Sequence, residues 1–243
     1  ENWFFEDRFK QLVGLLSEFA EKNTRVALFT SGTHPPLALA ELKRRAGIMA
    51  YRIVQIKSLG FSCGINILGT IGHHNEDLDN QLNEAWTRMT NTKGEVCLGC
   101  FCPNDMGFVN GYVRPAYAAL SATNPDFIWI DDDVRYGHMP IGNGCFCDNC
   151  IRIFNETYDF SHTREMLADA LEKYDIELRY KWLTHQSETI KRLFAVIRET
   201  VPGDIKLGFM TGERYFEGYD FAGFADVLSD GGRHKIMWRP GGG

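Results

Sequence analysis

No stretch of this chain stays apolar for more than a few residues, so no transmembrane helix fits it. Basic blocks are missing as well. The net charge is −6, and Lys and Arg nowhere cluster as phosphate neutralisation requires, which argues against nucleic acid or an anionic membrane as the main partner. The opening residues, Glu1 to Asp7, lack the basic region and cleavage pattern of a signal peptide, and the absence of an initiator Met suggests an upstream segment. No Gly-x-Gly-x-x-Gly fingerprint follows the first apolar run, which disfavours a dinucleotide-binding sheet. Paired disulfides are also poorly served, because the cysteine count is 7, an odd number. Four metal thiolates and three free thiols suit a reducing compartment, so a soluble, cytoplasmic protein is expected.

What is present suits a packed globular protein. Hydrophobic residues make up 44% of 243, enough for one sizeable core, and residues 1–243 are read as a single domain. Phe5, Phe9, Leu12, Leu16 and Phe19 fall on one face of an N-terminal helix. Short runs that are apolar on both faces then alternate with helical stretches. Strands are expected at 25–30, 63–68, 95–101, 127–130, 205–210 and 235–238. The intervening helices are expected at 37–59, 76–89, 108–122, 150–155, 163–173, 175–200 and 221–228.

This alternation indicates a parallel sheet with βα crossovers. Polar and charged clusters repeatedly follow the strands: Ser31, His73-His74, Cys102, Asp131 to Asp133, Glu213-Arg214 and Arg239. Chemistry at strand C-termini is the pattern of an α/β protein of the (β/α)8 barrel type. The expectation is therefore a TIM barrel that is truncated after about six strands, since the chain stops at Gly241-Gly242-Gly243.

Two constellations carry chemistry. Cys145, Cys147 and Cys150 stand in Cys-Phe-Cys-Asp-Asn-Cys, too close for ordinary pairing among themselves. With Cys102 they suit a closed tetrahedral thiolate site for Zn2+, which would be structural because no coordination position stays open. Cys97 and Cys100 compete with Cys102 for the fourth place, while Cys63 reads as a core residue. The second constellation is Asp131, Asp132 and Asp133 at a strand end. Side chains alternate along a strand, so Asp131 and Asp133 are expected on one face and Asp132 on the other. Neighbouring carboxylates raise one another's pKa, which leaves one protonated as a general acid, with Arg135 and His138 to orient them.

Trp129-Ile130-Asp131-Asp132-Asp133-Val134, then His138, then the three clustered cysteines and Phe154, resembles the glycoside hydrolase family 42 β-galactosidases. In that family Trp-x-Ile-Asp-Asn-Glu ends the fourth barrel strand and a following Cys-Tyr-Cys-x-x-Cys binds zinc. The remaining zinc cysteine lies in a Cys-Pro-Asn-Ser-like stretch, which Cys102-Pro103-Asn104-Asp105 matches. The resemblance is sharp over 98–155 and architectural elsewhere. It implies retaining hydrolysis of a glycosidic bond, a carbohydrate substrate and a homo-oligomer.

Under this resemblance Asp133 takes the acid/base position, one methylene shorter than the family's Glu. Asp132 replaces the Asn that contacts a sugar hydroxyl. The family's nucleophile lies on a seventh strand, beyond Gly243. Within the chain, Glu213 or an Asp at the fourth strand end could serve as the second carboxylate. His73, His74, Arg135, Trp238 and Arg239 are the remaining candidates for sugar contacts. A non-catalytic carbohydrate-binding barrel is the alternative, and a zinc interaction module or redox site stands third.

Overall fold

The computed structural model describes residues 3–18, 24–73, 75–79, 82, 85–134, 136, 142, 144–173, 175–211 and 220–241. Five strands form one parallel sheet: β1 (Arg25–Phe29), β2 (Ser62–Ile67), β5 (Phe127–Ile130), β6 (Lys206–Thr211) and β7 (Ile236–Pro240), in that order. Their order in the sheet follows their order in the chain, with no reversal of the kind that marks a doubly wound sheet. Helices α2 (Leu39–Ser58), the short α3 (Met106–Phe108), α4 (Arg114–Ser121), α7 (Ile176–Thr200) and α8 (Phe221–Leu228) lie in the connections, with α1 (Glu6–Glu18) leading the chain. None of the helices among the described residues is long and apolar enough to cross a membrane.

Register separates the two faces of the sheet. Leu28, Ile65, Ile128, Leu207 and Ile236 pair in one row across all the strands. That row joins a core built from Met49 and Ile53 of α2, Leu120 of α4, Phe194 of α7 and Phe224 of α8. Burying such a row against helices is worth roughly 1.5–3 kcal/mol per large side chain, which fixes the strands in this register. The next row, Phe29, Asn66, Trp129, Gly208 and Met237, faces the opposite way. Phe29, Trp129 and Met237 lie outside that core.

The expected third barrel strand is not in this sheet. Residues 95–101 contain β4 (Val96–Phe101), which pairs antiparallel with β3 (Arg88–Thr90) in a separate ribbon. The reason lies in a turn: Asn91 Oδ1 accepts the N–H groups of Lys93 and Glu95, and Gly94 takes φ +85°. Val96 and Leu98 are about half exposed, so this strand is amphipathic rather than buried on both faces. The helix expected at 76–89 is absent among the described residues, where β3 occupies its end. The sheet has β1 and β7 as its edges among the described residues, so an open five-stranded parallel sheet stands where a six-stranded piece of a barrel was expected.

A second, smaller core sits beneath the cysteine loop. Phe146, Ile151 and Phe154 meet Leu167, Leu178 and Trp182 there. It joins α5 (Asp148–Tyr158) to α6 (Arg164–Glu172) and α7. Side-chain caps start α6 and α7: Thr163 accepts from Met166 N, and Asp175 from Leu178 N.

Candidate functional site

The C-terminal ends of three parallel strands bring one polar cluster together. Asn66 near the end of β2, Asp131 just after β5 and Arg239 near the end of β7 are in direct contact. Arg239 Nη1 donates to Asp131 Oδ2 at 2.8 Å and to Asn66 Oδ1 at 3.1 Å. Asn66 Nδ2 donates to the same Asp131 oxygen. The other Asp131 oxygen accepts the Asp132 backbone N–H at 2.8 Å. Asp131 and Asn66 are buried while Arg239 is half-buried, so the guanidinium forms the outer side of the cluster. Charge pairing of this kind is what lets a carboxylate remain in a desolvated position. Asn66 was not anticipated, although an amide inside the apolar run of β2 was a visible signal.

Asp133 is placed differently. It is fully buried, and its Oδ2 accepts three backbone N–H groups, from Thr70 at 2.6 Å, Ile71 at 2.7 Å and Gly72 at 2.9 Å. Its Oδ1 has no hydrogen-bond partner among the described residues. Burial pushes the Asp133 carboxyl well above the usual carboxylate range, with the Gly72, Ile71 and Thr70 donors opposing that shift and the charge of Asp131 adding to it. The expectation that Asp131 and Asp133 share a face does not carry through: β5 ends at Ile130, and the chain turns through 132–133, where strand alternation no longer applies. The two carboxylates hold separate partner sets, and Asp132 lies half-buried between them.

The other candidates divide. The imidazole of His73 stacks on that of His34 with centroids 4.4 Å apart, and His34 Nδ1 meets Glu76 at 2.7 Å. Trp238 packs on Phe209 at 4.9 Å, on the row that also carries Ile67 and Ile130. It therefore lies on the face of that row and not on that of the polar cluster, and it is about half exposed. Adjacent residues of a strand point to opposite faces, so only one of Trp238 and Arg239 could share the face of the cluster. Trp129 is on that face, next to Asn66 in the register, and its Nε1 has no hydrogen-bond partner among the described residues. His74, Arg135, His138 and Glu213 lie outside the described residues.

The expected thiol quartet does assemble. Cys102, Cys145, Cys147 and Cys150 are all buried, and their sulfurs lie within 4.8 Å of one another. Cys102 follows β4, Cys147 is the N-cap of α5, and Cys150 sits in that helix's first turn. Cys102 Sγ stands 3.3 Å from Cys150 Sγ and 3.6 Å from Cys147 Sγ. Hydrogen bonds from the Cys102, Cys145 and Cys150 thiols push Cys147 far down, while the same network pushes Cys102 up. Four thiols crowded in this way have the donor set of a thiolate-loving metal ion, and the residues present fit one.

Surrounding bonds tie the quartet into the fold. Phe146 N donates to Thr90 O at 2.7 Å, and Asn149 Nδ2 donates to Asn104 O at 2.6 Å. Asn104 Nδ2 stands 3.3 Å from both Cys150 Sγ and Thr189 Oγ1. The ribbon, the loop after β5 and α7 thus meet at one point.

No family model matches the chain, and no curated protein matches it. Among solved structures it is similar to an inactive mutant of a family 20 exo-β-N-acetylglucosaminidase from Vibrio harveyi, at 12% identity with a TM-score of 0.35. That match covers 80% of this chain and 28% of the other, so the chain spans less than a third of that protein's length.

Proposed function

We propose that this chain is part of a carbohydrate-active (β/α)8 barrel of the glycosidase type, with its sugar site at the C-terminal ends of the parallel strands. The observation that carries this reading is the Asn66–Asp131–Arg239 cluster. It gathers a carboxylate, an amide and a guanidinium from three strand ends on the face away from the core helices. Such groups hydrogen-bond sugar hydroxyls, and barrel chemistry belongs at this end of the strands. The uninterrupted strand order supports an arc of such a barrel.

Retaining hydrolysis, β-galactosidase-like by the resemblance over 98–155, needs one carboxyl as acid/base and a second as nucleophile, about 5–5.5 Å apart. Asp133 holds the acid/base position of that resemblance, and burial pushes its carboxyl upward, the direction that suits an acid. Glu213 is the candidate second carboxylate within the chain. The four thiolates would hold Zn2+ with no position left open, so the metal's task would be to brace the loop after β5. A carbohydrate partner and a homo-oligomer belong to the same reading, whereas nucleic acid and membrane partners do not.

One observation favours a second reading, a barrel that binds sugar without cleaving it. Asp133 is sealed from solvent, and one oxygen is committed to three backbone donors. Assaying the full-length protein against a panel of aryl glycosides, with Asp131→Asn and Asp133→Asn beside it, separates the two. Hydrolysis abolished by both substitutions supports the glycosidase. Sugar binding without turnover, weakened by Asp131→Asn alone, selects the binding protein. Neither turnover nor binding by the folded protein would refute the carbohydrate assignment altogether.

A further inference from the structure

A second thiol site lies on the ribbon, apart from the quartet. Along β3 and β4, Arg88 pairs with Phe101 and Thr90 pairs with Val96, so two steps on one strand face five on the other. The surplus residues bulge out, which turns both Cys97 and Cys100 inward where regular alternation would oppose them. Both are buried, and their sulfurs stand 3.2 Å apart. Asn75 fastens the bulge: its Oδ1 accepts the Gly99 N–H at 3.0 Å and lies 3.2 Å from Cys97 Sγ. Arg88 Nη1 donates to the Leu98 carbonyl at 2.6 Å from the other side. Leu98 itself is exposed, so the tip of the bulge reaches solvent.

We propose that Cys97 and Cys100 are a redox pair that closes to an intramolecular disulfide when it meets a small-molecule disulfide. Closure needs the sulfurs to approach from 3.2 Å to about 2 Å, a movement within reach of side-chain rotation. A disulfide completes the site with the two residues at hand. A metal ion would need more donors, and among the described residues the quartet is the one group of three or more potential ligands. The step balances as thiol–disulfide exchange. Because both sulfurs are buried, the exchange proceeds through local opening of the bulge at its exposed Leu98 tip, where the Cys97 thiolate attacks one sulfur of glutathione disulfide and expels one glutathione thiolate. The Cys100 thiolate then attacks the Cys97 sulfur of the mixed disulfide and expels the second. The protein loses two electrons and two protons, which leave in two glutathione thiols.

The bulge also touches the candidate site. Gly72 has φ +97°, and a Cβ there would lie 1.9 Å from the Gly99 carbonyl oxygen, so the two backbones are in contact. Phe101 N donates to Ile71 O at 2.7 Å, and the 70–72 segment is the one that Asp133 holds. The pair therefore lies directly against the loop after β2.

The test is to equilibrate the metal-loaded full chain at a series of reduced-to-oxidised glutathione ratios. Free thiols are then trapped with N-ethylmaleimide under denaturing acid quench, and peptides are mapped by mass. The expected result is one two-electron transition confined to the peptide carrying Cys97 and Cys100, with the quartet trapped as thiols at every ratio. Cys97→Ser should abolish the transition and leave the bound metal per chain unchanged. Thiols at 97 and 100 that remain alkylated at every ratio would overturn the proposal. So would a fall in bound metal in Cys97→Ser, which would make the pair a second metal site. The wild-type mapping decides the matter even where the variant fails to fold.

Discussion

Replacing Asp133 with Ala removes the acceptor shared by the Thr70, Ile71 and Gly72 N–H groups. All three donors are buried, and a buried donor left unsatisfied costs about 1–3 kcal/mol. Because the donors converge on one oxygen, the low end applies to each, giving a loss of about 3 kcal/mol. For a chain of this size that corresponds to a fall in Tm of about 6–12 °C. Asp133→Asn keeps an oxygen in the same place and should cost about 1 kcal/mol or less. Urea unfolding of both variants measures the difference. An Ala variant within about 0.5 kcal/mol of wild type would refute the clamp, since that is the range of an ordinary surface substitution.

The pH dependence supplies an independent check. A carboxyl whose folded pKa is raised stabilises fully below its unfolded value of about 4, and that stability is lost as pH rises through the folded pKa. Asp133→Asn does not titrate, so its stability should gain on wild type as pH rises from about 4 toward neutrality. The difference between the two proteins also cancels His185, whose pKa burial lowers to about 4 and whose slope has the opposite sign.

Three further outcomes are expected. Cys150→Ser should lower bound metal, measured by elemental analysis, and a chelator should reduce wild type to the same lowered Tm, since metal binding free energy is folding free energy. Arg239→Met leaves Asp131 buried without its cation; discounted for the half-exposed guanidinium, the cost in urea unfolding should be about 1–3 kcal/mol, and no change would refute the pairing. Gly72→Ala places a Cβ against the Gly99 carbonyl at positive φ, so calorimetry should show a loss of more than about 1 kcal/mol.

Much of the fold was legible because the information was local. Runs such as Phe127 to Ile130 are apolar on both faces, and capping residues such as Thr163 and Asp175 announce helix starts. Cys145, Cys147 and Cys150 were legible because their spacing is chemical, whereas the preference for Cys102 over Cys97 and Cys100 rested on the resemblance of Cys102-Pro103-Asn104-Asp105. The ribbon was not, because its turn at Asn91 to Glu95 depends on one side chain's bonds to the backbone. The candidate site was only half legible. Asp131 and Arg239 come together as strand ends should, but Asp133 finds its partners in backbone N–H groups more than sixty positions away, which no side-chain pattern encodes.

The uninterrupted strand order has a consequence for how the molecule assembles. Every parallel pairing joins strands that are successive in the sheet, so each forms by closing one connection. The β6–β7 connection is the shortest and the β5–β6 connection the longest, and loop-closure entropy separates them by about 1 kcal/mol. The β6–α8–β7 unit is therefore favoured to form early, and docking of β5 on β6 to form late. The thiol quartet changes that sequence. An ion held by Cys102, Cys145, Cys147 and Cys150 would tie the end of β4 to the start of α5 before β6 arrives, with β5 enclosed in the loop. Metal supply would then act on the rate at which the sheet is completed as well as on the stability of the finished protein.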